Sequence, residues 1–109
     1  MEKAQEIRIV FVTAKTSDSA LQISRILVNE NLAACCSVIH NVSSVFGWQG
    51  AVNERTEYLI IIKTAEPKIN ELEKRITELH PDEVPEIISV AVDSGKASYL
   101  DWIKQSLLI

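Results

Sequence analysis

The sequence predicts an α+β sandwich in which four strands and two helices follow the order β-α-β-β-α-β, with an added C-terminal helix. Three observations lead to this prediction: short runs of β-branched residues, amphipathic helical stretches between them, and one long hairpin marked by glycine. The 109 residues, 47% of them hydrophobic, suit a single domain over residues 1–109. A chain of this size has a modest core, so burial against a partner subunit would matter.

The first half of the chain predicts a strand, a helix and the first arm of a hairpin. Ile7–Thr13 has the nearly continuous apolar centre of a strand that is buried on both faces. Capping residues at 16–19 lead into a helix of about fourteen residues from Ala20, and residues 29–31 are its expected stop. Leu32–Val45 then has the composition of a strand.

The second half completes the hairpin and adds a helix, a strand and a final helix. A turn at Phe46–Gly50 joins the first arm to Val52–Thr64, and each arm of about a dozen residues would project about 40 Å. The next helix opens at Pro67, has apolar residues three or four apart, and ends before Pro81. The remaining elements are a strand at Pro85–Val92 and a helix from Ala97 to Leu107, capped by Asp93 or Ser94.

This order of elements is the split arrangement of ferredoxin-like domains. Right-handed crossovers would place both main helices on the same face of the four-stranded sheet. The strand centres around Phe11, Ile61 and Ile88 show no polar alternation, so the other face also needs burial. We expect that face to pack against other copies of the chain; the alternative is a monomer with an open apolar face.

Net charge and cysteine content limit the partners and the compartment. Eleven basic against fifteen acidic side chains give a charge of −4, which excludes the general basic surface that binds nucleic acid. The apolar run Ile9–Val12 is too short for a signal peptide or a membrane helix, so we expect no membrane partner. Cys35 and Cys36 are adjacent, so they are poorly placed to bridge each other and one of them should enter the core. Reduced thiols fit a cytoplasmic protein.

His80 stands beside three carboxylates and is the first candidate metal ligand. An imidazole nitrogen with carboxylates from Asp82, Glu83 and Glu86 suits a borderline divalent cation such as copper or zinc. The alternative is a helix-terminal histidine favoured by the helix dipole, with solvated acids around it. A reachable thiolate at Cys35 would suit Cu(I) or Hg(II), and a buried structural cysteine is the alternative there.

Aromatic residues near the hairpin turn, one lysine and one glutamate are candidate ligand-binding residues. Trp48 and Phe46 would form an apolar pocket or an anchor at a subunit interface. Lys63 would add positive charge to a small-ligand site and Glu86 a carboxylate, and a salt-bridged surface lysine is the alternative for Lys63. The chain has no Gly-rich phosphate loop, no paired CxxC and no nucleophile elbow, so we do not expect an enzyme.

Six stretches, in order along the chain, resemble the CutA family of divalent-cation tolerance proteins. They are Val12–Ala14, Asn31–Cys35, Ser44–Gly50, Ile62–Thr64, Leu79–Ile87 and Tyr99–Trp102. The resemblance implies a ferredoxin-like fold, a PII-like homotrimer with hairpins that reach across subunits, and a role in tolerance of copper and other divalent metals. It implies no obligatory cofactor, with copper or another divalent cation as the expected ligand, and no catalytic activity is established for the family.

The chain departs from the family at the copper site proposed for some members. That site uses a cysteine in the first strand and two histidines before the proline, whereas this chain has Val12 and Leu79 at two of these positions. A metal site here would use His80, Glu83 and Cys35 in a different way, or be shared between copies. The competing interpretation is a PII-like regulatory module that binds a small ligand in clefts between subunits, through Lys63, Trp48 and Glu86.

Overall fold

The computed structural model describes residues 1–109 and contains three α-helices, one short 3-10 helix at Glu66–Lys68 and two antiparallel sheets. The α-helices are Ser17–Asn29 (α1), Ile69–Leu79 (α2) and Ala97–Ser106 (α3). The strands are Glu2–Lys3 (β1), Ile7–Ala14 (β2), Cys35–Trp48 (β3), Ala51–Ala65 (β4), Ile88–Ala91 (β5) and Ser94–Gly95 (β6). The α+β class and the order of the main elements confirm the prediction, while β1 and β6 were not predicted. No helix has both the length and the apolar character needed to span a bilayer.

The main sheet has the strand order β3-β4-β2-β5, and its longest feature is the β3–β4 hairpin. The hairpin turns at Gln49 and Gly50, which both have positive φ angles of 51° and 78°, as a two-residue turn of the primed type requires. The predicted turn at Phe46–Gly50 was therefore too long, because residues 46–48 still pair with β4.

A bulge between Ile39 and Val42 interrupts the pairing of β3 with β4, and Asn41 in this bulge has a φ angle of 60°. The molecule is 44 Å long, consistent with arms of the predicted length.

The first residues of α1 and α3, and the groups that cap these helices, differ from the prediction. Helix α1 begins at Ser17, before Ala20, because the Thr16 hydroxyl accepts a hydrogen bond from the Ser19 backbone N–H at 3.1 Å. The predicted caps of α3 were wrong. Asp93 instead accepts from Lys3 Nζ at 3.3 Å, and Ser94 pairs with β1, so α3 follows Lys96 without a side-chain cap.

Helices α1 and α2 cover the same face of the main sheet, as predicted. Alternate residues of β2 and β4 point toward them, and twelve buried residues form the core between the layers. These are Val10, Val12, Ala14, Ala20, Ile23, Leu27, Leu32, Ala33, Ile60, Ile62, Leu72 and Ile76. The apolar spacing that predicted α2 is the spacing that places Leu72 and Ile76 in this core.

The opposite face of the sheet is covered only at one end. Helix α3 packs Leu100, Ile103 and Leu107 against Ile7 and Ala65, which corrects the expectation that this face has no helix of its own. Beyond α3, most large side chains on this face are apolar and open to solvent to different degrees, although Thr13, Ser37 and Lys63 share the face. We call these apolar side chains the open face: Ile9, Phe11, Ile39, Leu59, Ile61, Ile88 and Val90.

Candidate functional site

A groove with a volume of about 670 Å³ lies between the β3–β4 hairpin and the loop that follows α2. Strand β2 and the residue after it close one side. The lining residues are Thr13, Lys15, Ser44, Val45, Phe46, Trp48, Asn53, Arg55, Glu57, Pro81, Asp82, Glu83, Val84 and Glu86. The groove therefore collects charged side chains of both signs beside aromatic and aliphatic ones.

Arg55 on β4 joins the hairpin to the loop. Its Nη2 donates to Glu57 Oε2 at 2.7 Å and to Asp82 Oδ2 at 2.8 Å. Its guanidinium lies over the Phe46 ring, 5.5 Å from the centroid. Lys15 Nζ lies 3.5 Å from the second oxygen of Asp82, Oδ1. Two cations and two carboxylates thus form one network on the groove floor.

The network keeps its two carboxylates ionised. Burial alone would raise the pKa of Asp82, but its hydrogen bond to Arg55 and the nearby charges outweigh burial and lower the pKa below its usual range. Glu57 behaves alike, with its pKa raised by burial but lowered overall by hydrogen bonds from Ser44 and Arg55. Burial likewise opposes the charge of Arg55, and the bonds to Glu57 and Asp82 outweigh it and raise the Arg55 pKa.

The network leaves two buried polar atoms without a hydrogen-bond partner. They are Arg55 Nε and Asp82 Oδ1. Buried donors and acceptors are nearly always paired in folded proteins, so two such atoms in one ion pair form an incomplete polar site.

His80 is buried under the loop and does not line the groove. Its Nδ1 accepts from the Asp82 backbone N–H at 3.0 Å, so Nε2 carries the proton and donates to the Thr13 carbonyl at 2.6 Å. The ring thus ties the end of α2 and the following loop to β2. Both ring nitrogens are occupied, so a metal could bind His80 only if one of these bonds broke.

Cys35 and Lys63 lie on the face of the main sheet that is opposite α1, and they are far from the groove along the strands. They are paired across β3 and β4, with Lys63 Nζ 3.9 Å from Cys35 Sγ and 3.2 Å from Ser37 Oγ. Cys36 points the other way and packs against the core, where burial raises the pKa of its thiol to about 11. The expectation that one of the two cysteines enters the core is confirmed.

The structure does not bring the three predicted metal ligands together within one chain. Cys35 is in register with Ile9 through Lys63, whereas His80 contacts Thr13, four residues and about 13 Å further along β2. No group of three or more His, Cys, Asp or Glu side chains is arranged around one point. Among the predicted ligand-binding residues, Trp48 and Glu86 line the groove with Glu83, and Lys63 does not.

Sequence reasoning missed Arg55, Glu57 and Lys15 as members of the site. Glu57 follows the polar run Asn53–Thr56, so nothing in the sequence distinguishes it, and only the structure shows that its side chain is 5% exposed. A buried carboxylate needs a cation, and Arg55 lies on the same side of β4 two residues away. The third partner, Asp82, is distant in sequence and was not predictable from local spacing.

The fold and the sequence both match known proteins. Residues 8–106 match the family described as CutA1 divalent ion tolerance protein. The chain is 36% identical over 98 residues to the divalent-cation tolerance protein CutA of Thermus thermophilus, covering 90% of this chain and 95% of the relative. It superimposes on the crystal structure of CutA from Xylella fastidiosa with a TM-score of 0.91 and 36% identity, covering 94% of this chain and 98% of the other.

Eukaryotic relatives are similar over the same region but are longer. The human protein CutA is 34% identical over 99 residues, which cover 91% of this chain and 55% of the relative. The chain thus spans nearly all of the Thermus relative and about half the length of the human one. With the family match extending over most of its length, the chain belongs to the CutA1 family of divalent ion tolerance proteins.

Proposed function

We propose that this protein acts in divalent-cation tolerance as a cytoplasmic homotrimer that binds copper or another divalent cation. Family membership supports the tolerance role. The single observation that supports assembly is the open face, because α3 covers only one end of it and its aliphatic and aromatic side chains would be buried by further copies.

Light scattering tests the assembly directly. We expect a mass three times the chain mass of 12.2 kDa at micromolar concentration. Val90→Lys places a charge on the open face, where Val90 is 46% exposed, and should shift the mass toward the single chain. Val28→Lys is the matched control, because Val28 is 40% exposed on α1, on the other side of the sheet, and should leave the mass unchanged. A folded wild-type chain of 12.2 kDa would contradict the trimer.

Metal binding in this proposal uses residues that only assembly can combine. Cys35 lies on the sheet face that would meet another copy, and Glu83 is an exposed carboxylate of the groove. A thiolate and a carboxylate from different chains would suit a borderline cation such as copper or zinc. His80 would join such a site only by giving up a backbone hydrogen bond.

Calorimetric titration with Zn(II) and Cu(II) tests direct binding, and Zn(II) is included because it does not oxidise thiols. We expect saturable heat from the wild type and its loss in Cys35→Ser and in Glu83→Gln. Cys36→Ser and Glu71→Gln are the controls, because Cys36 packs against the core and Glu71 is exposed on α2. Titrations of the wild type without saturable heat would rule out direct metal binding, and they would not contradict the proposed trimer.

The cytoplasmic location is supported by two free cysteines. Cell fractionation with an antibody against the untagged protein would place it in the soluble cell interior. Recovery in a periplasmic or organellar fraction would contradict this part of the proposal.

A further inference from the structure

The groove floor contains one unpaired donor and one unpaired acceptor, and part of its wall is apolar. We propose that this groove binds a zwitterionic α-amino acid with an apolar side chain. This site differs in its chemistry from the metal site proposed above, since it needs neither the Cys35 thiolate nor a metal ion.

The unpaired atoms match the two charged ends of such a ligand. Arg55 Nε is a free donor that suits a carboxylate, and Asp82 Oδ1 is a free acceptor that suits an ammonium group. Each atom is two covalent bonds from an atom of the 2.8 Å ion pair between Nη2 and Oδ2, so the two lie close together. An α-amino acid carries its ammonium and carboxylate groups on the same carbon, so it presents a cation and an anion side by side.

The walls suit an apolar side chain. Val45, Trp48 and Val84 line the groove and are exposed, although large apolar side chains are seldom grouped on a free surface. The volume of about 670 Å³ lies within the range of small-molecule sites. Such sites combine polar groups that fix the orientation of the ligand with apolar side chains that contact the rest of it.

The balance of charge favours a zwitterion over an anion. Two cations, Lys15 and Arg55, face four carboxylates in the lining. Two of these carboxylates are used by Arg55, while Glu83 and Glu86 are exposed and form no ion pair. A nucleotide or free phosphate would meet an excess of negative charge, whereas an ammonium group is attracted by it.

A ligand reaches Asp82 Oδ1 by moving Lys15. Its side chain is 58% exposed, and its Nζ lies 3.5 Å from Asp82 Oδ1 without forming a hydrogen bond. An exposed lysine loses little when it moves, because surface ion pairs contribute little free energy. After the movement, Lys15 can pair with the ligand carboxylate.

Calorimetric titration of the full-length protein with three matched probes tests the proposal. The probes are L-phenylalanine, L-phenylalaninamide, which lacks the carboxylate, and 3-phenylpropionate, which lacks the ammonium group. A chelator in the buffer removes divalent cations, so this result is independent of metal binding. We expect L-phenylalanine to bind about tenfold more tightly than either analogue, because each analogue leaves one charged hydrogen bond unmade.

Two tryptophan variants locate the binding. Trp48→Ala should weaken binding of L-phenylalanine about fivefold, since it removes part of the apolar wall. Trp102→Ala is the matched control, because Trp102 on α3 is 43% exposed, close to the 45% of Trp48, and lies outside the groove. Absence of saturable binding, equal affinity for the three probes, or equal effects of the two variants would overturn the proposal.

Discussion

His80 links the loop after α2 to strand β2 through both ring nitrogens. His80→Ala leaves the Thr13 carbonyl and the Asp82 N–H without these partners in a buried setting. We expect the free energy of unfolding to fall by about 2 kcal/mol, as measured by urea denaturation. Glu73→Ala, at an exposed position of α2, is the control. Equal stability of the two variants would show that the ring does not hold the loop.

The carboxylates of Glu57 and Asp82 make stability depend on pH. Both pKa values are lower in the folded chain than their reference values of 4.5 and 3.8. Burial opposes this shift, and hydrogen bonds from Ser44 and Arg55 to Glu57, and from Arg55 to Asp82, outweigh it. A group of this kind stabilises the fold above its unfolded pKa and loses that contribution as pH falls through its folded pKa. We expect the free energy of unfolding to decrease as pH falls below about 4.5.

Urea denaturation at a series of pH values measures this effect. Asp82→Asn removes one of the two titrating groups, so its stability should fall less steeply with decreasing pH than that of the wild type. Parallel curves for the two proteins would mean that Asp82 does not contribute to the acid dependence.

Residue types alone predicted part of the candidate site. Trp48, Glu83 and Glu86 were chosen from the sequence, and all three line one groove. The sequence could not show that Lys63 lies about 13 Å along the sheet from Thr13 in the groove, because the pairing register decides which residue of β2 stands opposite Lys63. The role of Arg55 was equally hidden, since it depends on Asp82, 27 residues away.

At the level of elements, the short strand β6, which pairs with β1, lies against α3. Gly95 in β6 faces Leu100, and a Cβ at this position would lie 2.8 Å from Leu100 Cδ2. Gly95→Ala should therefore lower the free energy of unfolding by about 1–3 kcal/mol through overpacking. Gly47→Ala is the matched control, because a Cβ there would meet nothing within 4 Å. Thermal unfolding of both variants compares them, and equal midpoints would contradict the packing role.

The long elements were predictable because their signals are local. Apolar spacing placed α2 and the central residues of β4, and the Thr16 cap lies within one turn of the helix it begins. The two-residue strands were not predictable, because Glu2 pairs with Gly95 across almost the whole chain. The position of α3 on the second face was missed for the same reason, because α3 packs against Ile7, which is far from it in the sequence.

At the scale of the whole molecule, the two faces of the sheet differ in how they are completed. One face has α1 and α2, and the other has α3 at one end and the open face elsewhere. The hairpin also exposes Val52, which lies outside the groove. Assembly through the open face would bring the hairpin of one chain near its neighbours, so the groove and the subunit contacts would be coupled.

If assembly completes the fold, stability must depend on protein concentration. A partner that binds only the folded chain shifts the unfolding equilibrium by mass action, so the thermal midpoint of the wild type should rise with concentration. Val90→Lys should show a lower midpoint that no longer depends on concentration, while Val28→Lys should behave as the wild type. Scanning calorimetry over a wide concentration range measures this. A wild-type midpoint that stays constant across that range would mean that the single chain is stable with its open face in water.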